Sequence, residues 1–480
     1  MPESPTPSVH SYCDDALGTD DATALAERIR RREVSATELT QAAIARAERV
    51  QPHLHAIASP GFGQALVAAR ELDSLEPGSC SAPFAGVPTF IKDNTDVSGL
   101  PSLYGSLAVP RRHIPGKTSA FAVQLLEQGF LCLGKSTLPE FGFNASTEYR
   151  HSPPTRNPWN TGFSCGASSG GSAALVAAGV VPVAHANDGG GSIRIPAACC
   201  GLVGLMPGRG RVIDNDAAKS LPVNILSDGI VSRTVRDTAG FMARAEEYFN
   251  NPKLPAIGKI EGPSGRKLRI GLALDSITGY RTDDETRATV EATAHRMEKL
   301  GHIVEPIPIP VADSFAEDFA LYWSMLAFGM RAQGHKILHP DFDRHQTDDL
   351  TNGLARKFKR GFYRLPLVVW RLRRSYQDYA RAMTGFDAVL TPVLAHTTPK
   401  LGHLSPTVPF DTLFERLTRY AAFTPLANAT GAPAISLPMA RTADNLPISV
   451  QFMAPHGGEA TLLDIAYTLE EEAPFPLLCD

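Results

Sequence analysis

Residues 185–196, HANDGGGSIRIP, set three glycines directly before one serine, with an arginine two places on. Glycine admits backbone conformations closed to other residues and lets a ligand approach the main chain closely. Successive N–H groups in such a turn can converge on one point and form an anion nest. A nest beside a hydroxyl suits acyl transfer: Ser192 attacks a carbonyl, and the N–H groups hold the oxyanion that develops. Two other readings compete. The glycines could cradle a phosphate, but no G-K-[ST] follows and no G-x-G-x-x-G occurs. They could also form an ordinary turn.

A second Gly/Ser loop, GASSGGSAA (166–174), places Ser168 24 residues before Ser192. It runs into an apolar, small-residue stretch, which argues against a flexible linker. His185, seven residues before Ser192 on a presumed strand, reads as a packed or hydrogen-bonded structural histidine. A serine without a histidine needs another base. Lysine can serve where burial or neighbouring cations lower its pKa. Lys92 is a candidate: it ends the apolar VPTFI strand, beside Asp93 and Asn94. A lysine at a strand end is otherwise a solvated surface group.

Other polar clusters read more plainly. His335, His339, Asp341, Asp343 and His345 fall in HKILHPDFDRH. Pro340 breaks the pattern and no H-E-x-x-H is formed, so they read as surface groups rather than metal ligands. The stretch 356–374 holds eight Lys/Arg and no acid. It reads as the basic face of solvated helices, with Phe358, Phe362, Tyr363 and Trp370 partly buried, although such stretches also occur at membrane or nucleic-acid surfaces. Phe319, Tyr322, Trp323 and Phe328 stand near helical spacing and read as core, with the sharper option that some wall an apolar pocket.

The elements that must hold these residues are those of an α/β protein. The 480 residues, 43% hydrophobic with a formal charge of −4, are ample for a large core and give no global pull toward nucleic acid or anionic membrane. Residues 1–20 read as frayed. Two helices follow, the second started by a Ser35/Glu38 capping box. FAGVPTFIKDN (84–94) reads as a strand opening into a polar tip, and 122–137 as helix then strand. AALVAAG reads as a tightly packed helix before the strand VVPVAHAN. LRIGLALD (268–275), a helix and HIVEPIPIP continue the alternation, which predicts a covered, largely parallel sheet. Residues 311–420 read as a cap or insertion on one 1–480 domain. Strand and turn return in 423–439 and 446–455. The seven scattered cysteines, Cys80 among them, form no C-x-x-C pair, and MPESPTPSVH is no signal peptide, so a cytoplasmic home is expected. No apolar stretch is long enough to span a bilayer.

Together, GVPTFIKDN, GASSGGSAALVAAG and NDGGGSIRIPAACCGLVGL resemble the amidase signature family, in order and spacing, with Lys92 lying 76 residues before Ser168. GKSTLPEF (134–141), NPWN (157–160), DAVLTPV (387–393) and NATGAPAISLP (428–438) are similar to the family as well. The resemblance implies a Ser–cisSer–Lys triad. Ser192 would be the nucleophile, Ser168 the bridging serine after a cis bond from Ala167, and Lys92 the base. It places oxyanion-hole N–H groups at Gly189, Gly190, Gly191 and Ser192, a supporting hydroxyl at Ser169, and framework groups at Asp188 and Arg194. It implies a small-molecule amide as substrate, no metal or organic cofactor, no nucleic-acid partner and, by analogy, a homodimer. The sequence departs from the family at Asn187-Asp188-Gly189, where Thr-Asp-Thr is frequent, and at Met206, where lysine is frequent. The form HANDGGGSIRIPAACCG is most similar to the branch of bacterial 6-aminohexanoate-cyclic-dimer hydrolases and related amidases. Two alternatives stay open: a glutaminase subunit of a tRNA-dependent amidotransferase, and a non-catalytic binding protein.

Overall fold

A computed structural model describes residues 8–76, 81–309 and 311–479. Cys80 and residues 1–7 lie outside the described residues.

Residues 8–20 are not frayed. Ser11 donates its backbone N–H and its hydroxyl to the Ala178 carbonyl, and Asp15 pairs with the buried Arg46 guanidinium. Arg46 also donates to the carbonyls of Cys13, Gly18 and Gly179, so one buried cation ties this segment down. Such tertiary anchoring leaves no trace in local composition. The two expected helices then span Ala22–Arg30 and Ala36–Leu54, capped by Asp21 and by the complete Ser35/Glu38 box.

A small sheet joins β1 (Ile57–Pro60), β2 (Pro88–Lys92) and β3 (Leu131–Ser136) in the order β1-β3-β2. Beside it lies an eight-stranded sheet. Its strands are β4 (Val183–Asp188), β5 (Val203–Met206), β6 (Ser227–Ser232), β7 (Arg269–Leu272), β8 (Ile303–Pro306), β9 (Ala388–Pro392), β10 (Ala434–Arg441) and β11 (Pro447–Met453). Their order is β4-β6-β5-β10-β11-β9-β7-β8. The architecture is α/β with a mixed sheet, but the large sheet is not mostly parallel. Its β7–β8 and β7–β9 ladders are parallel, and the other five are antiparallel. The alternation of strand and helix does make β4 and β5 run the same way. However, β6 inserts between them in the opposite sense, and the β10–β11 hairpin separates β5 from β9.

The segment 311–420 supplies both cover and core. The helix Phe315–Ile337 packs against both Asp349–Gly361 and Leu365–Ala382, whereas β9 lies inside the sheet, buried throughout. The expected cap therefore does not extend through 388–392. Phe358 is buried as expected, but Phe362, Tyr363 and Trp370 are exposed, not partly buried. Among the described residues, no helix is long and apolar enough to cross a membrane.

Two joints bring the site together. Thr89 Oγ1 donates to the Val183 carbonyl, and the Lys92 N–H donates to His185 Nδ1, so side chains fasten β2 to β4. The helix Gly170–Ala177 is buried on every side, which its run of Gly, Ala and Ser permits. Ser172 on that helix donates to the His185 carbonyl at 2.6 Å.

Candidate active site

Lys92 ends β2 with its side chain completely buried. Its Nζ lies 2.7 Å from Ser168 Oγ, 2.6 Å from Asn187 Oδ1 and 3.3 Å from the Asn187 carbonyl. Burial drives its pKa down to about 7, against the opposing pull of Asp188 and Asp228. A desolvated ammonium loses its hydration, and among the described residues no carboxylate contacts Lys92 Nζ to replace it. Both ring nitrogens of His185 are taken up by structural hydrogen bonds. Its Nδ1 accepts from the Lys92 backbone, so Nε2 carries the proton and donates to Asp228 Oδ1 at 3.2 Å.

The peptide bond Ala167–Ser168 is cis, as the family resemblance implies. Ser168 reaches Lys92 and Ala167 faces the pocket. Gly142 crowds it from the other side: a Cβ there would stand 3.0 Å from Ser168 Oγ. The Ser169 hydroxyl exchanges hydrogen bonds of 3.3 Å with the N–H and C=O of Asn187, and its N–H reaches the Ser192 carbonyl. Ser192 is nearly buried and lines the pocket. Among the described residues no hydrogen bond joins its Oγ to Ser168 Oγ.

Asp188 and Arg194 brace the turn between them. Asp188, wholly buried, accepts from the N–H groups of Gly191 at 2.6 Å and Ile193 at 3.1 Å, and from Arg194 Nε and Nη2 at 3.0 Å each. Burial alone would raise this carboxyl, but the Arg194 guanidinium and the converging donors hold it below its ordinary value. Arg194 in turn reaches Gln451 and Asn428. Asn428 also donates to Asp188 Oδ1 at 2.8 Å and to the Ile225 carbonyl at 3.0 Å.

One expected oxyanion donor is elsewhere engaged. The Gly191 N–H points at Asp188, and the Gly190 carbonyl on the same peptide accepts from Thr424 Oγ1 at 2.7 Å. That peptide plane is held at both ends, with the Gly191 N–H engaged by Asp188. Its own requirement is conformational: φ is +126°, and a Cβ would stand 2.4 Å from Thr424 Oγ1. Among the described residues the N–H groups of Gly189, Gly190 and Ser192 make no backbone hydrogen bond.

The Amidase family model matches residues 38–463. The chain belongs to this family. The Ser–cisSer–Lys set is characteristic of it, and the protein is an enzyme of the amide-hydrolase class. This amidase is similar to the putative amidase AmiC of Mycobacterium tuberculosis, at 46% identity over 468 residues and 97% of both chains. It is 34% identical to the 6-aminohexanoate-cyclic-dimer hydrolase of Pseudomonas sp. over 490 residues, covering 95% of each. The solved structure of a 6-aminohexanoate cyclic dimer hydrolase with its substrate matches at a TM-score of 0.83 and 28% identity, covering 97% of this chain and 98% of that one.

In this amidase the pocket at Ser192 has a volume of about 830 Å³, mouth included. Among the described residues no charged side chain lines it. One wall is an aromatic run on the helix Phe315–Ile337. Phe315 stacks on Phe319 and Phe319 on Trp323, whose ring meets Phe143 edge-on at 5.6 Å. Tyr322 and Phe328 turn away: Tyr322 bonds the main chain of Val223, and Phe328 packs against Phe358. The histidines of 335–345 lie outside the site, where Asp341 pairs with Arg112 and Asp343 caps a short turn. Among the described residues no three His, Cys, Asp or Glu side chains come together as metal ligands.

Sequence reasoning passed over Asn187, Thr424, Asn428 and Gln451. Asn187 carried a signal, as one of the positions, with Gly189 and Met206, where the family pattern is broken. The other three touch the catalytic turn only through the folded sheet and the helix Pro425–Thr430.

Proposed function

We propose that this enzyme hydrolyses neutral amides with an apolar acyl group, through an acyl-enzyme on Ser192. The observation that carries the reading is the wholly buried Lys92 amine 2.7 Å from Ser168 Oγ. With its pKa lowered to about 7, Lys92 is substantially neutral near neutral pH. A neutral amine has two N–H groups and one lone pair. Asn187 accepts both N–H groups through Oδ1 and its carbonyl, which leaves the lone pair for the Ser168 hydroxyl.

Ser192 Oγ then attacks the amide carbon as its proton passes to Ser168 Oγ and the Ser168 proton passes to Lys92 Nζ. The oxyanion accepts from the N–H groups of Gly189, Gly190 and Ser192. Collapse breaks the C–N bond, and the proton held on Lys92 returns through Ser168 to the departing nitrogen. Water attacks the ester by the same relay and releases the carboxylate, so no cofactor is called on. Closing the Ser168–Ser192 hydrogen bond accompanies substrate binding, since catalytic contacts often tighten only in the bound complex.

The apolar, uncharged pocket favours aryl or alkyl acyl groups over glutamine, whose ammonium and carboxylate would find no partners in it. This weighs against a glutaminase subunit. The buried Lys92–Ser168 contact weighs against a non-catalytic binding protein. Free thiols at Cys13, Cys132, Cys165, Cys199 and Cys200 support a reducing, cytoplasmic setting.

The test is mass spectrometry after exposure to a fluorophosphonate at several pH values. A single adduct on Ser192 that weakens in Lys92→Ala is the expected result. An adduct elsewhere, or none at any pH, overturns the assignment.

A further inference from the structure

We propose that the corner joining the helices Asp349–Gly361 and Leu365–Ala382 docks this protein on an anionic lipid surface. Phe362, Tyr363, Leu367 and Trp370 are 61%, 72%, 47% and 55% exposed. Single exposed apolar residues are ordinary, but a cluster rimmed by polar groups marks an interaction site. Tyr363, Leu367 and Trp370 stand at helical spacing and share one outward stripe. Phe362 and Tyr363 meet edge to face at the corner itself.

The adjoining stripe is cationic. Arg356, Lys359 and Arg360 are exposed on the preceding helix and form no ion pair among the described residues. Arg364 and Arg371 pair with Glu317 and Asp318, Arg374 shares Asp378 with Arg381, and exposed Arg373 forms no ion pair among the described residues, so Arg356, Lys359, Arg360 and Arg373 carry the unneutralised charge. Arg374 lies over the Trp370 ring at 5.5 Å. The whole chain carries a formal charge of −4, which makes this cluster a local exception.

The chemistry selects the partner. Tyr and Trp present an apolar body with a polar tip, and Lys and Arg carry apolar stems, the combination favoured at a headgroup layer. Anionic lipid satisfies both stripes, by charge at the surface and by apolar burial just beneath it. Nucleic acid would meet the cations but leave Phe362 and Leu367 in water. A second copy of the chain across a two-fold axis would set this basic cluster against its own image.

The test is co-sedimentation with equimolar phosphatidylglycerol–phosphatidylcholine vesicles at about 0.1 M salt, beside pure phosphatidylcholine. The protein should bind the anionic vesicles selectively. Its emission should shift to the blue, because Trp370 is exposed while Trp159 is buried and Trp323 sits in the pocket wall. Phe362→Ser/Tyr363→Ser/Trp370→Ser should bind about tenfold more weakly or worse, with an unchanged thermal transition. Arg356→Glu/Lys359→Glu/Arg360→Glu should lose the preference for anionic lipid. Three results overturn the proposal: no vesicle binding, undiminished binding by the serine variant, or a dimer that this variant dissolves. Binding of a DNA duplex without vesicle binding overturns it too and assigns the cations to nucleic acid.

Discussion

Thr424 Oγ1 donates to the Gly190 carbonyl at 2.7 Å, and it is this bond, with Asp188 on the other side, that fixes the Gly190–Gly191 peptide. Thr424 touches no reacting atom and is a positioning residue. Thr424→Val keeps the volume but leaves the carbonyl unpartnered, so the turn is free to rotate its donors away from the oxyanion. Removing an oxyanion donor outright costs about 100- to 1,000-fold in kcat. Loosening its support should cost about tenfold or more, with KM little changed, and Thr424→Ser should restore most of it. Steady-state kinetics of the pair decide the matter. An equal loss in kcat for Val and Ser, or a loss confined to KM, would show that the bond only packs the helix.

Lys92 sets the acid limb of the pH profile. The base must be neutral, and burial holds its pKa at about 7. Below that value kcat/KM should fall by about tenfold per pH unit, and above it the profile should level off. Lys92→Arg should abolish the limb with the activity, since guanidinium stays charged throughout. A profile flat from about pH 5.5 to 9 would remove Lys92 from the role.

Asp188→Asn should destabilise the fold as well as the chemistry. Arg194 is wholly buried and has Asp188 as its ion-pair partner. Breaking one side of a buried pair typically costs about 3–5 kcal/mol. Chemical denaturation should register a loss of this size. A loss under about 1 kcal/mol would mean that Gln451 and Asn428 alone satisfy the guanidinium.

Trp323 bounds the pocket between Phe319 and Phe143. Trp323→Ala should raise kcat/KM for bulky aryl amides relative to short aliphatic ones, because it opens the wall without touching Ser192. Competition assays on a graded series would reveal it. Uniform loss across the series would instead mark Trp323 as packing.

The residues proposed to react were legible because each sits in its own short motif: a lysine at the end of an apolar strand, and serines within glycine turns. The bracing was not. Thr424, Asn428 and Gln451 acquire their meaning from a hairpin inserted in mid-sheet, which no window of sequence contains. The same insertion, with β6 between β4 and β5, is why strand–helix alternation gave the wrong sense for most ladders. The bond from the Gly191 N–H to Asp188 was not legible because a peptide's orientation depends on what holds its carbonyl, here a residue 234 positions beyond Gly190. Phe362, Tyr363 and Trp370 were misplaced because helical spacing identifies a stripe without saying which way it faces.

That separation also orders events during synthesis. Lys92, Ser168 and Ser192 emerge from the ribosome long before Thr424, Asn428 and the β10–β11 hairpin exist. At common elongation rates the interval is roughly ten to fifty seconds. Through it the nascent chain carries the proposed nucleophile and base beside an unclamped turn, and even after β9 has emerged the hairpin that joins it to β5 is still to come. A chain stopped short of residue 424 would hold every reacting group and still lack the hole that makes them an enzyme.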